Sequence, residues 1–161
     1  MRVVFDTNVY ISAFITPGGR GEAAYLAATG GEVELVVSVP ILTELARKLK
    51  EKFHWDDEHI KAAIRHVATA AMVVKPIKRL AVLKDEPDNR ILECATEAGA
   101  MLIVTGDRHL LDIRRYGGIS IVTLAAFLQT VGGRESARRL AGFGGGEKEL
   151  KVITRRRPES K

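Results

Sequence analysis

One cysteine, Cys94, is present in 161 residues. A lone thiol forms no intramolecular disulfide and supplies no zinc-ligand spacing, which excludes a disulfide scaffold and a cysteine-built zinc site. Cys94 reads instead as a small core hydrophobe. No stretch approaches the roughly 20 apolar residues needed to cross a bilayer. Val3-Val4-Phe5 follows Arg2 near the start, but Asp6 and Asn8 interrupt that run too early for a signal peptide. The expectation is a cytoplasmic protein without membrane contact. There is also no internal repeat, no Walker-type phosphate loop and no G-x-G-x-x-G fingerprint. His54, His59 and His66 lack a compact ligand spacing.

What is present fits one globular domain. The composition is 46% apolar and 28% charged, values of a folded chain rather than a disordered one, and the length suits one well-buried core. Charge is distributed unevenly. Residues 134–161 hold nine Lys or Arg against four Glu, which accounts for the whole formal net charge of +5. Such a basic tail suits nucleic acid or an acidic protein surface.

Short apolar runs alternate with segments of helical pattern. The runs are Val3–Phe5, Leu35–Val39, Met72–Val74, Met101–Val104 and Ile119–Val122. Runs that are apolar on both faces suit strands covered on both sides. Helix candidates lie at 20–29, 40–51, 57–70, 88–98 and 107–114, with another from Leu124 to just before Gly132-Gly133. The alternation predicts an α/β fold, a three-layer α/β/α sandwich with a parallel sheet of five strands. The domain then spans 1–133, and 134–161 forms a short basic C-terminal tail.

In parallel α/β folds, ligands bind outside the carboxyl ends of the strands. Asp6 follows the first strand, and Asp107 follows the fourth after Thr105-Gly106. Glu44 lies early in the helix after the second strand, and Asp88 opens the helix that feeds the fourth. If the first and fourth strands are neighbours, all four converge on one crevice. Like charges that close repel and raise one another's pKa. A hard divalent cation such as Mg2+ or Mn2+ relieves that repulsion, lowers the pKa of bound water and stabilises charge on a phosphodiester. The plainer reading makes Asp6, Asp85 and Asp107 helix N-caps, Asp88 a dipole-compensating charge and Glu44 a solvated helix residue.

Four motifs in order carry a family resemblance. Val4-Phe5-Asp6-Thr7-Asn8-Val9 with Ile11-Ser12-Ala13 resembles the opening of a PIN domain. Glu34–Ser38 and Ile41-Leu42-Thr43-Glu44-Leu45 are similar to the family's second strand and glutamate-bearing helix. Asp85–Ala95 and Ala100–Asp107 resemble its third and fourth acidic motifs. Over about residues 2–130 the chain most resembles the toxin branch of VapBC toxin–antitoxin systems. The resemblance implies a metal-dependent endoribonuclease, using Mg2+ or Mn2+ and acting on RNA, and it implies a homodimer with a cognate antitoxin. By position it implies Asp6, Asp88 and Asp107 as metal ligands, with Glu44 completing the catalytic cluster. Thr7, Asn8 and Thr105 would orient the carboxylates, or serve only as turn and cap residues. Many relatives have a further aspartate where this chain has His109, which weakens the case for a second tightly held metal; Asp112 lies one turn on.

The tail has its own resemblance. Ala137–Gly145 followed by Arg155-Arg156-Arg157-Pro158 is similar to the C-terminal arm of some VapB-type antitoxins, with a small helix, a Gly-rich hinge at 142–146 and terminal arginines. Leu150–Ile153 reads as a brief strand. The tail is then an inhibitory arm that sets Arg155, Arg156 or Arg157 against the carboxylates in place of an antitoxin, an RNA-holding arm, or a solvated extension. A different class remains beside the nuclease: a catalytically inactive PIN-like module that binds RNA or protein. A phosphate-accepting Asp6 fits poorly, because phosphatases of that kind want a second aspartate where Asn8 stands.

Overall fold

A computed structural model describes the backbone of residues 1–140 and the side chains as far as Gly132. Among the described residues six strands form one sheet: β1 (Arg2–Phe5), β2 (Glu34–Ser38), β3 (Met72–Val74), β4 (Leu102–Val104), β5 (Arg115–Tyr116) and β6 (Ile119–Val122). Their spatial order is β3-β2-β1-β4-β6-β5. The five expected strands are all present and pair in parallel, Val4 standing opposite both Val36 and Ile103. The sixth, β5, is the correction to the expected count. It is a two-residue strand paired antiparallel with β6 through a tight turn, too short for a periodicity signal.

Among the described residues seven helices surround the sheet: α1 (Thr7–Ile15), α2 (Arg20–Thr29), α3 (Val39–Glu51), α4 (Asp57–Ala70), α5 (Glu86–Ala98), α6 (Arg108–Ile113) and α7 (Leu124–Leu140). From β1 the chain moves outward to β2 and β3, then crosses back to β4 on the other side of β1. Right-handed crossovers therefore place α5 on the opposite face from the helices of the outward connections. Helices cover both faces, α5 packing across β1 to β4 and α2 against β2 and α7. Val3, Val4 and Phe5 are fully buried as a result.

Helix α1 was absent from the sequence reading. Its segment, TNVYISAFI, is apolar nearly all round and rich in β-branched and aromatic residues, so it shows no amphipathic stripe. It is helical because it is buried. Tyr10 and Phe14 meet Tyr25 edge-on at ring centroid distances of 6.0 and 5.6 Å, and Tyr10 also touches Phe5. Several boundaries differ by one or two residues, α5 for example beginning at Glu86 rather than Asp88. Val39 begins α3 rather than ending β2, because Ser38 caps that helix by accepting from the Ile41 amide at 3.3 Å. Helix α7 was expected to stop before Gly132-Gly133 but runs to Leu140; a glycine inside a helix costs only about 1 kcal/mol. The hinge expected at 142–146, the strand expected at Leu150–Ile153 and Arg155, Arg156 and Arg157 lie outside the described residues.

Gly21 sets how closely α1 and α2 approach. A Cβ there would stand 2.6 Å from Ser12 Oγ and 2.8 Å from the Ala13 backbone nitrogen, and backbone cannot swing aside as a side chain can. Gly21→Ala is expected to lower stability by about 1–2 kcal/mol, read as a lower urea midpoint. An unchanged midpoint would mean that the two helices separate freely.

Candidate functional site

The outward turn at β1 and the return to β4 make a topological switch point, and a crevice opens there at the carboxyl ends of the strands. The Asp6 amide donates to the Val104 carbonyl at 3.0 Å, which extends the β1–β4 pairing to the edge of this crevice. Asp6 stands at the N-cap position of α1, but its carboxylate makes no cap hydrogen bond. It accepts from Thr105 Oγ1 at 2.7 Å and from Thr7 Oγ1 at 3.2 Å. Thr105 also accepts the Asp107 amide at 2.9 Å. One buried hydroxyl thus ties the end of β1 to the turn that carries Asp107.

Of the three candidate caps, only Asp107 caps with its side chain. Its Oδ1 accepts the amides of His109 at 2.8 Å and Leu110 at 3.2 Å, while Asp85 makes no cap hydrogen bond. Asp88, on the first turn of α5, is 8% exposed, and its Oδ2 is buried without a hydrogen-bond partner. Burial first, and then the charges of Asp107, Asp6 and Asp85, push its carboxyl up to about 6. A buried carboxylate with an unmatched oxygen and three like charges nearby is costly unless protonated or matched by a cation.

Asp88 is therefore near enough to Asp6 and Asp107 to feel their charge, whereas the Glu44 carboxylate is engaged within its own helix. The Glu44 carboxylate is gripped by Arg47, which donates to it at 2.6 and 3.0 Å and holds its pKa below the usual carboxylate range. Glu44 lines an adjoining pocket of about 260 Å³ with Thr7. Asn8 is exposed and accepts from Lys48 Nζ at 3.3 Å; the same ammonium donates to Thr7 Oγ1 at 3.0 Å. His109 and Asp112 are exposed on α6. Lys48, missed in the sequence, was legible as the residue one turn after Glu44 on the same helix face. Asn89 was missed too. Its amide accepts from the Val82 and Leu83 amides at 3.0 and 2.8 Å and donates to the Leu83 carbonyl at 2.8 Å, fastening the loop before α5.

The chemistry of the donors fits a divalent cation. Three carboxylates present hard oxygen ligands, as Mg2+ and Mn2+ prefer; His109 lies near enough to oppose the rise in the Asp88 pKa, but the orphaned Asp88 oxygen has no protein donor to satisfy it. Among the described residues no group of three or more His, Cys, Asp or Glu is drawn in closely enough to hold an ion. Asp6 is held by Thr105, and Asp107 by an amide of α6.

A family profile described as PIN domain matches residues 2–109. An uncharacterized protein of Methanocaldococcus jannaschii is 30% identical over 119 residues, which cover 71% of this chain and 76% of that protein. Among solved structures, VapBC2 from Rickettsia felis, bound to a DNA fragment from its promoter, superposes with a TM-score of 0.56 at 12% identity, covering 76% of this chain and 98% of the matched one. That likeness concerns the fold. No helix among the described residues is long and apolar enough to cross a membrane.

Proposed function

The chain belongs to the PIN-domain family, whose members are generally nucleases, and on that premise we propose that it is an endoribonuclease dependent on Mg2+ or Mn2+. The observation that carries the proposal is the buried, unpartnered oxygen of Asp88 facing the charges of Asp107 and Asp6 at the switch point. Asp6, Asp88 and Asp107 are the proposed metal ligands, and with Glu44 they form the proposed catalytic set. When bound there, the cation lowers the pKa of water and stabilises charge on the phosphodiester.

The chain's own residues do the positioning. Thr105 and Thr7 fix both Asp6 oxygens, and Thr105 orders the Asp107 amide through the same hydroxyl. Asn8 and Thr7 are steadied by Lys48. To join the set, Glu44 would have to give up an Arg47 hydrogen bond. Thr105→Val keeps the volume but removes the hydroxyl, and is expected to weaken Mn2+ binding by about 10- to 100-fold. Titration calorimetry on the folded variant measures this, and unaltered affinity would leave Thr105 as a turn residue only.

We assign the protein to the toxin side of a toxin–antitoxin pair, acting in the cytoplasm as a homodimer, with a cognate antitoxin or its own residues 134–161 restraining it. The assignment rests on the family and on the VapBC-like fold. The first test is RNA cleavage by the full chain with Mn2+, with chelator, and with Asp6→Asn. Cleavage that needs the metal and disappears in the variant is the expected result. Equal traces in all three would overturn the nuclease reading and leave an inactive module that binds RNA or protein.

A further inference from the structure

The pocket beside the carboxylates has a composition that the hydrolytic reaction does not require. It lies between the starts of α3 and α5, and Pro40, Ile41, Pro87 and Ile91 are the apolar residues of its lining, beside Thr7 and Glu44. Ile41 and Ile91 are 1% and 2% exposed, so the floor is rigid core. At about 260 Å³ it falls just under the roughly 300–1,000 Å³ of pockets for drug-sized ligands. That is room for one flat ring system. At the rim, Glu86 lies 3.9 Å from both Arg79 and Arg90. Glu86 and Arg79 have side chains 78% and 73% exposed, so neither serves the core.

A pocket of this size, with apolar residues in its lining and a carboxylate and a guanidinium side by side at its mouth, suits a nucleobase. Two of the lining residues are prolines, whose saturated rings offer apolar contact to a base. Single-stranded RNA offers such bases because they are unstacked and free at both edges. Among the four, guanine places two adjacent donors, N1–H and N2–H, on one edge for a carboxylate. On the other edge it places O6 and N7, the acceptors that a guanidinium reads in pairs. The pocket also shares its border with the catalytic set. Thr7 follows Asp6 and Pro87 precedes Asp88, so a base seated here belongs to a nucleotide next to the phosphate at the carboxylates.

We propose that this pocket binds one unpaired guanine beside the cleaved phosphate and so determines which RNA the protein selects. The cleaved phosphate rests on the nuclease reading, but the binding of the base does not. Glu86 takes the N1–H and N2–H edge, and Arg79 takes O6 and N7. Arg90 is less free, being paired with Glu93 at 2.8 Å and donating to the Leu80 carbonyl.

Two measurements on the full chain test this. In calcium, labelled oligouridine with a single central guanosine should bind about tenfold or more tightly than plain oligouridine. Glu86→Gln and Arg79→Ala, both at exposed positions, should bring that ratio close to one. Sequencing of cleavage ends formed in Mn2+ should place guanosine at a fixed position beside the cut, and both variants should scatter it. A ratio of one in the wild type, or a ratio that both variants leave intact, overturns the proposal, as does preference for another base. Guanosine-dependent binding that the variants abolish, without any cleavage, sustains the pocket while removing the nuclease reading. Cleavage without base preference does the reverse.

Discussion

Asp88→Asn is expected to stabilise the metal-free protein by about 2 kcal/mol at pH 7 while abolishing RNA cleavage. The carboxyl of Asp88 is pushed from 3.8 to about 6 by burial and by Asp107, Asp6 and Asp85. One pKa unit corresponds to about 1.4 kcal/mol, so keeping this group charged costs the fold up to roughly 3 kcal/mol, and the amide removes most of that. The sign follows from proton linkage. A folded-state pKa above the unfolded value means that the folded chain holds the proton more tightly, so this group favours folding at low pH. The penalty is absent near pH 4, grows as pH rises through about 6 and is complete above it. The advantage of Asp88→Asn should follow the same course, which paired urea melts across that range will measure. An advantage equal at pH 4 and pH 7 would assign the effect to packing.

Manganese should stabilise the wild-type chain and fail to stabilise that variant. A ligand at about one hundred times its dissociation constant contributes roughly 2.7 kcal/mol, and for a domain of this size each kcal/mol raises Tm by about 2–4 °C. A shift of roughly 5–10 °C is therefore expected for the wild type. On the proposed site, the carboxylates whose charges oppose one another without metal would become its ligands, so stability given up there would be recovered on binding. No shift in the wild type would remove the metal from the proposal. An equal shift in Asp88→Asn would move it elsewhere on the chain. Stability of the bare fold and function thus oppose each other at one residue.

The sheet was legible because its strands are apolar on both faces, and five such runs appear in the sequence with helical segments between them. Helix α1 was not legible, since TNVYISAFI is helical by burial rather than by amphipathic pattern. Strand β5 has two residues and owes its pairing to the turn before β6. The three aspartates could be placed at one end of the sheet by counting from strand ends, and the β1–β4 pairing brings two of them to one crevice. What spacing could not convey was which side chains are already engaged. Asp107 spends an oxygen on capping α6, Asp6 does not cap at all, and Glu44 is held by Arg47 three residues on in its own helix. Such competition between local hydrogen bonds and a distant cluster depends on rotamers, which no periodicity records.

The β1–β4 pairing also governs when the protein becomes competent. Thr105 reaches Asp6 across 99 positions of sequence, and closing so long a loop comes late wherever chain entropy must be spent before contacts form. A nascent chain that has emerged only through α5 already has Asp6, Glu44 and Asp88, yet it has no β4 to pair with β1 and no Asp107. Any opening that parts these two central strands undoes the cluster while distant helices can remain formed. On the nuclease reading, cleavage would await β4 and Asp107, and a cell making the protein would be spared damage from unfinished copies.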